Sequence, residues 1–161
     1  AAVLRRQYEW RAQSTEGRLR MSISNIFGIA GTALNAQMVR MNTTASNMDN
    51  ASTIASSPED AYKAKRPVFE ALLTEAQTNA GAAHVGGVKV SGMADDTTPH
   101  RRIHDPGNPK ADEEGFIYLS NVEEVTEMVD MMSSARSYQN NVEVINTARE
   151  LMMRTLDLTK V

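Results

Sequence analysis

Histidine and aspartate side chains in the middle of the chain are residue types that commonly bind divalent metals. The candidates are His84, His100 and His104, together with Asp95, Asp96 and Asp105. Their spacing matches no compact ligand motif, and Pro99 and Pro106 prevent them from sharing one helix face. We interpret them as solvated loop residues. A metal-dependent enzyme built on the three histidines is the least favoured of the hypotheses that the sequence leaves open.

A group of glutamates is the second candidate for chemistry. The group is Glu123, Glu124 and Glu127, which could form a paired-carboxylate acid–base site. They fall in the first turns of a predicted helix, however, where negative side chains compensate the helix dipole. Ser133 and Ser134 have no histidine in their segment to complete a triad, and the glycines at 86 and 87 lack the lysine of a phosphate loop. The sequence therefore predicts no enzyme, no metal and no cofactor.

The composition limits the other classes of function. A formal net charge of -3 over 161 residues argues against a general nucleic-acid binder, which usually carries a basic surplus. The chain has no cysteine, so disulfides and thiol catalysis are excluded. No apolar run approaches the roughly 20 residues that span a bilayer, and no secretory apolar region follows the basic start. We therefore expect neither membrane insertion nor export with a cleaved signal peptide.

The elements that would position any site begin with a helical pattern near the start of the chain. Between 22 and 57 the only ionisable side chains are Arg40 and Asp49, yet apolar residues recur at three- and four-residue steps. The stripe is Ile23, Phe27, Ala30, Leu34, Met38, Met41, Ala45 and Met48. The other faces carry small or uncharged groups that tolerate close contact with other protein. The pattern predicts a helix from about Ile23 to Asn50 that is surrounded by partners.

A second helical pattern occupies the last part of the chain. Its apolar stripe is Val125, Met128, Met132, Ala135, Val142, Ile145, Met152 and Leu156, and no glycine or proline interrupts it. Ser120 and Glu123 have the spacing of a capping box, in which each side chain satisfies a free backbone amide of the other residue. The pattern predicts a helix from about Asn121 to Leu158.

The middle of the chain differs from both ends. Short apolar runs at 68–72, 88–90 and 116–119 are typical of strands, and the glycine and proline clusters between them are typical of turns. We expect four parts: a leader at 1–20 that is upstream or non-native sequence, an N-terminal assembly helix at 21–57, a β-rich insert at 58–120 and a C-terminal assembly helix at 121–161. The predicted fold is mainly α, with long terminal helices pairing as a coiled-coil-like hairpin and a small β-hairpin or sheet between them.

Three motifs resemble the signatures of bacterial flagellar rod and hook proteins. The first is ALNAQMVR at 33–40 followed by NMDNA at 47–51, the second is DPGNPKAD at 105–112 with GF at 115–116 and NV at 121–122, and the third is EMV at 127–129, ARSYQ at 135–139 and NVEV at 141–144. The middle motif is similar to that of one proximal-rod member. Met48, Asp49, Asn108 and Ser120 depart from the usual pattern, and none of them touches a chemical step, because the family has none.

The resemblance implies a structural subunit of the proximal rod of the flagellar basal body. Such subunits polymerise through their terminal helices into a hollow shaft that transmits torque and passes exported subunits. The implied partners are the chain itself, the other proximal-rod proteins, the export-gate junction protein, the distal rod and the flagellar type III export apparatus. The implied location is the rod in the periplasm, reached without a cleaved signal peptide. Nucleic acid and direct membrane insertion are not part of this role.

The resemblance and the two stripes together define the predicted assembly interface. On the first helix it comprises Ile23, Ile26, Phe27, Ala30, Leu34, Gln37, Met38, Arg40, Met41, Ala45, Asn47, Met48 and Asn50, and on the second it comprises Val125, Met128, Val129, Met132, Ala135, Tyr138, Val142, Ile145, Met152 and Leu156. A helix with internal glycines that buries only one apolar stripe has little stability on its own. We therefore expect the N- and C-terminal segments of the chain to fold on assembly. The rival hypothesis is a non-flagellar helical coiled-coil adaptor that forms a small closed oligomer.

Overall fold

The computed structural model describes the backbone of residues 2–72 and 86–158 and the side chains of 25–72 and 86–158. Its elements are, in chain order, α1 (Ala2–Asp49), β1 (Ile54–Ala55), β2 (Lys65–Ala71), β3 (Val88–Asp95), β4 (Arg102–His104), β5 (Phe116–Leu119) and α2 (Glu124–Leu158). The predicted class, mainly helical with a small β part, is confirmed. Pairing of the helices as a coiled coil stays a prediction.

Both helices were found by sequence, with errors at their first residues. Helix α1 begins at Ala2 rather than at Ile23, so the backbone of the predicted leader is helical from that residue on. Helix α2 begins at Glu124, three residues after the predicted start, and ends at Leu158 as predicted. The predicted capping box is wrong. The Ser120 hydroxyl accepts the amide of Val122 (3.0 Å), while the Glu127 amide donates to the Glu123 carbonyl (3.0 Å), which makes Glu123 the residue that precedes the first turn.

One antiparallel sheet has the strand order β1–β5–β4. Its register pairs Ile54 with Leu119 and Ile103 with Ile117. A second sheet contains only β2 and β3. The three strands predicted from apolar runs are confirmed, whereas β1 and β4 were missed because two or three residues are too short to show an alternating pattern.

The loop between β4 and β5 is closed by the middle motif. Asp112 accepts the amides of Glu114 (2.9 Å) and Phe116 (2.8 Å) through Oδ1, and the Asp105 amide donates to the Gly115 carbonyl (2.9 Å). Gly115 has a φ of 81°, and a Cβ there would lie 3.1 Å from His104 Nε2. Only glycine adopts this turn without strain, so the motif serves to return the chain from one strand to the next.

The described residues fall into two compact units. The first contains 2–34, 71–72, 86–89 and 139–158, and the second contains Asn35–Glu70 and Val90–Tyr138. Within the first, Thr32 Oγ1 accepts the amide of Val88 (3.2 Å), and a Cβ on Gly87 would lie 2.9 Å from that oxygen. The absent side chain at Gly87 is therefore what lets the start of β3 approach α1.

No helix within the described ranges is both long enough and apolar enough to cross a bilayer.

Candidate assembly site

Asn47, in the last turn of α1, is the centre of the hydrogen-bond network of the second unit. Its Nδ2 donates to the carbonyl of Lys65 (2.9 Å) and to Oε2 of Glu127 (3.1 Å). Its Oδ1 accepts the hydroxyl of Tyr62 (3.0 Å) and the amide of Lys65 (2.9 Å). The side chain is only 1% exposed. Every hydrogen-bonding position of this amide is thus used within the chain, and the amide joins α1, β2 and α2.

Glu127 is the second member of the network and the largest fully buried side chain in the described part of the chain. Its Oε1 lies 2.7 Å from Nη1 of Arg66, in an ion pair rather than an aligned hydrogen bond. Arg66 also approaches Asp130 (3.5 Å) and, through Nε, Asp96 (3.7 Å). One guanidinium therefore lies among three carboxylates, of which only Glu127 is removed from water. A buried carboxylate held in this way is destabilising as soon as its partner is removed.

Asn121 connects the insert to the start of α2. Its Oδ1 accepts the Ala64 amide (2.7 Å), while its Nδ2 donates to the carbonyls of Asp96 (3.1 Å) and Thr98 (3.0 Å). The Thr98 hydroxyl and amide, together with the Arg66 guanidinium, hold the pKa of Asp96 below its ordinary value of 3.8. Asp96 therefore stays ionised at neutral pH and keeps its charge near Arg66.

The sequence missed this network. Glu127 does lie in the first turn of α2, where negative side chains compensate the helix dipole. Its main interactions, however, are the buried contacts with Arg66 and Asn47. The one signal available was that the network residues Asn47, Asn121 and Glu127 stand inside the three motifs. No pattern in the sequence joins Arg66 to a residue that lies 61 positions further along the chain.

The predicted assembly residues separate into three groups by exposure. Those that are exposed are Ile26, Met38, Ala45, Val125, Met128, Val129, Met132, Val142 and Leu156. Those that are half-buried are Phe27, Leu34, Gln37, Arg40, Met41, Met48, Asn50, Ala135, Tyr138, Ile145 and Met152. Ala30 and Asn47 are buried. The side chain of Ile23 lies outside the described residues.

The start of α2 carries its apolar residues on the outer side. Val125, Met128, Val129 and Met132 are 51–71% exposed. At about 100° per residue they share one face, and the buried residues Glu127 and Ser134 share the opposite face. The predicted stripe of this half of the helix is therefore directed away from the chain's own packing.

The end of α2 lies beside a second apolar surface, within the first unit. A groove of about 640 Å³ is lined by Ile26 of α1 and by Val144, Ala148 and Leu151 of α2. Val144 and Leu151 remain largely exposed. Grooves with such aliphatic walls accept apolar side chains rather than polar ligands.

The chain is similar along most of its length to flagellar rod proteins of several bacteria. The chain is 45% identical over 138 residues to the flagellar basal-body rod protein FlgC of Yersinia enterocolitica, covering 86% of this chain and 98% of the relative. It is 42% identical over 138 residues to FlgC of Salmonella typhimurium, with the same coverage. The similarity extends to FlgC of Bacillus subtilis, at 30% identity over 151 residues, 87% of this chain and all of the relative. The chain belongs to the FlgC family.

The C-terminal part of the chain also matches a flagellar rod family. Residues 113–158 match the family described as flagellar basal body rod FlgEFG protein C-terminal. The match contains β5 and the whole of α2, and so includes Asn121, Glu127 and the outer apolar face. The prediction of a flagellar rod protein is thereby confirmed, and the FlgC family is one of structural rod proteins.

The histidines of this FlgC-family chain do not form a metal site in the described part. His100 lies in a loop, as predicted, but it is half-buried rather than solvated, with Nδ1 2.9 Å from the Leu119 carbonyl. His104 is exposed but lies in β4, where its ring packs edge-on to Phe116 at 5.0 Å. His84 lies outside the described residues. Within the described ranges no three metal-binding side chains are grouped to hold an ion.

Proposed function

We propose that this chain assembles into the basal-body rod by burying the outer apolar faces of its two helices against neighbouring subunits. The supporting observation is a contrast in exposure. Among the described residues the buried apolar side chains are six alanines and Ile117, whereas eighteen large apolar side chains are at least 36% exposed. A self-contained domain has the opposite distribution. Such a chain gains most of its apolar burial from other protein.

The position of the shared motifs supports the same proposal. They contain Asn47 and Glu127, which hold the end of α1 and the start of α2 on β2. The hydrogen bonds of Asn47 and Glu127 therefore fix the packing within one subunit. The exposed apolar side chains then contact neighbouring subunits. A contact between two different surfaces of similar subunits extends as an open helix when the rotation between neighbours does not close into a ring. This is the geometry that a shaft requires.

The similarity to FlgC proteins and the motif resemblance support a finer role. We propose a place in the proximal rod, as part of a hollow shaft that transmits torque and passes exported subunits. The proposed partners are the chain itself, the other proximal-rod proteins, the export-gate junction protein, the distal rod and the type III export apparatus. The proposed location is the periplasmic part of the basal body, reached without a cleaved signal peptide.

The chain is expected to remain with the rod when basal bodies are isolated. Cell envelopes would be dissolved in detergent, and the hook–basal bodies would be sedimented and analysed by quantitative mass spectrometry. A rod subunit stays in the pellet after the membranes are removed, because its contacts are with other axial proteins. A closed adaptor oligomer would appear in the supernatant, and that result would favour the rival hypothesis.

A further inference from the structure

The start of α2 packs in the opposite sense to an ordinary amphipathic helix. Val125, Met128 and Met132 are 51–71% exposed. Glu127 and Ser134, in contrast, are fully buried. At about 100° per residue the two sets lie half a turn apart on the helix. Since an amphipathic helix normally buries its apolar face and leaves its polar face in water, hydrophobicity does not explain the orientation of this segment.

Directional polar contacts hold the buried side of α2 instead. Oε2 of Glu127 accepts a hydrogen bond from Nδ2 of Asn47 (3.1 Å), and Oε1 pairs with Nη1 of Arg66 (2.7 Å). Asn47 is fixed in turn by the carbonyl and the amide of Lys65, at 2.9 Å each. The partners of Glu127 thus come from both α1 and β2. Because such contacts need short distances, they are made together only when this side of α2 faces inward.

The orientation that these contacts oppose is α2 turned by half a turn about its axis. Val125, Met128 and Met132 would then be directed inward and Glu127 toward water. Burial of large apolar side chains is favourable, and so is the hydration of a carboxylate that leaves the interior. A chain packed in this way would cover its own apolar face and lose the surface that assembly needs. Buried polar groups can exclude such an alternative, because they are satisfied in one arrangement only.

We propose that the network of Asn47, Arg66 and Glu127 is an orientation lock, which keeps the apolar face of α2 outward in the free subunit and prevents the chain from burying that face against itself. The inference rests on the proposed function, since an outward apolar face matters only to a chain that assembles. It goes further by giving Glu127 a positioning role that is separate from its contribution to stability.

The lock is tested by the accessibility of single cysteines in the full chain, which contains no cysteine of its own. One form carries Met132→Cys on the outer face, and another carries Ser134→Cys on the buried face. Each is treated with a maleimide under native conditions, and the rate of labelling is measured by mass. Position 132 is expected to be labelled at least about tenfold faster than position 134, because a buried thiol reacts only when the structure opens.

Glu127→Ala, added to both cysteine forms, is expected to reverse the order of the two rates. The substitution removes the contacts with Asn47 and Arg66 and leaves only small side chains on the inner side, so that nothing opposes the inward turn of the apolar face. Glu127→Gln keeps an acceptor for Asn47 and is expected to keep the parental order. Glu124→Ala, which makes the same change at an exposed position of the same turn, is expected to keep it as well.

Two results with Glu127→Ala would overturn the lock. An unchanged order of labelling would show that α2 keeps its orientation without the network. Fast labelling at both positions would show that the network stabilises the fold without selecting an orientation. Circular dichroism of the same samples measures whether the helix content is retained.

The failure of this inference is distinguishable from failure of the proposed function. If isolated rods contain the parent chain but Glu127→Ala leaves the order of labelling unchanged, the lock is wrong and the rod assignment stands. If the parent chain is absent from isolated rods, the rod assignment itself is wrong.

Discussion

Glu127→Ala is expected to lower the free energy of unfolding of the second unit by about 2–4 kcal/mol. Removing one member of a buried ion pair usually costs about 3–5 kcal/mol, and the value is reduced here because the Arg66 side chain is 40% exposed and keeps Asp130 and Asp96 as partners. The substitution also removes one of the two acceptors of Asn47 Nδ2, while the Lys65 carbonyl remains. Urea unfolding followed by circular dichroism and tyrosine fluorescence would measure the change.

Glu150→Ala supplies the control for an exposed pair, since it removes the same side chain from the part of α2 that belongs to the first unit. Glu150 pairs with Arg154 at 3.7 Å, but the two side chains are 72% and 74% exposed. An exposed pair of this kind contributes at most about 1 kcal/mol. If Glu127→Ala and Glu150→Ala cost the same, the buried network is not what holds the second unit together.

Leu151→Asp is expected to abolish assembly and motility while leaving the single chain folded. Leu151 is largely exposed on the wall of the groove beside Ile26, so a carboxylate there meets water in the free subunit. Once a neighbour covers it, the unpaired charge costs several kcal/mol, which corresponds to a loss in affinity of more than about a hundredfold. Swimming in soft agar and the amount of chain in isolated rods are the measurements.

Asn146→Asp is the control for that variant, because it adds the same charge to an exposed polar position five residues earlier. It is expected to allow assembly, and both variants are expected to unfold within about 0.5 kcal/mol of the parent chain. A Leu151→Asp chain that enters rods at the parental level would show that this surface stays exposed in the assembly.

Apolar periodicity was enough to place the two helices, but not to say which face of α2 the chain buries. The residues buried on α2 are Glu127, Ser134 and Ala148, which lie seven and fourteen positions apart on one face yet are acidic, polar and small. A search for large apolar residues therefore selects the opposite face, with Val125 and Met132. On this helix, the pattern of large apolar residues therefore identifies the exposed face and not the face that packs within the chain.

The network around Asn47 depends on contacts that no local pattern records. Asn47, Arg66 and Glu127 come from α1, β2 and α2, and each alone reads as an ordinary polar residue. The motif similarity pointed to the correct family although it carries no information on these contacts. It did not reveal that Asn47, predicted to be an assembly residue, is buried with all its hydrogen bonds inside the chain.

Deleting the gene and examining basal bodies by electron microscopy is the most direct measurement of the central claim. We expect cells without rods, hooks or filaments, and we expect the full chain supplied from a plasmid to restore all three together with swimming. Leu151→Asp supplied in the same way should restore none of them, and Asn146→Asp should restore them all. Normal flagella in the deletion strain would contradict the assignment of this chain to the rod.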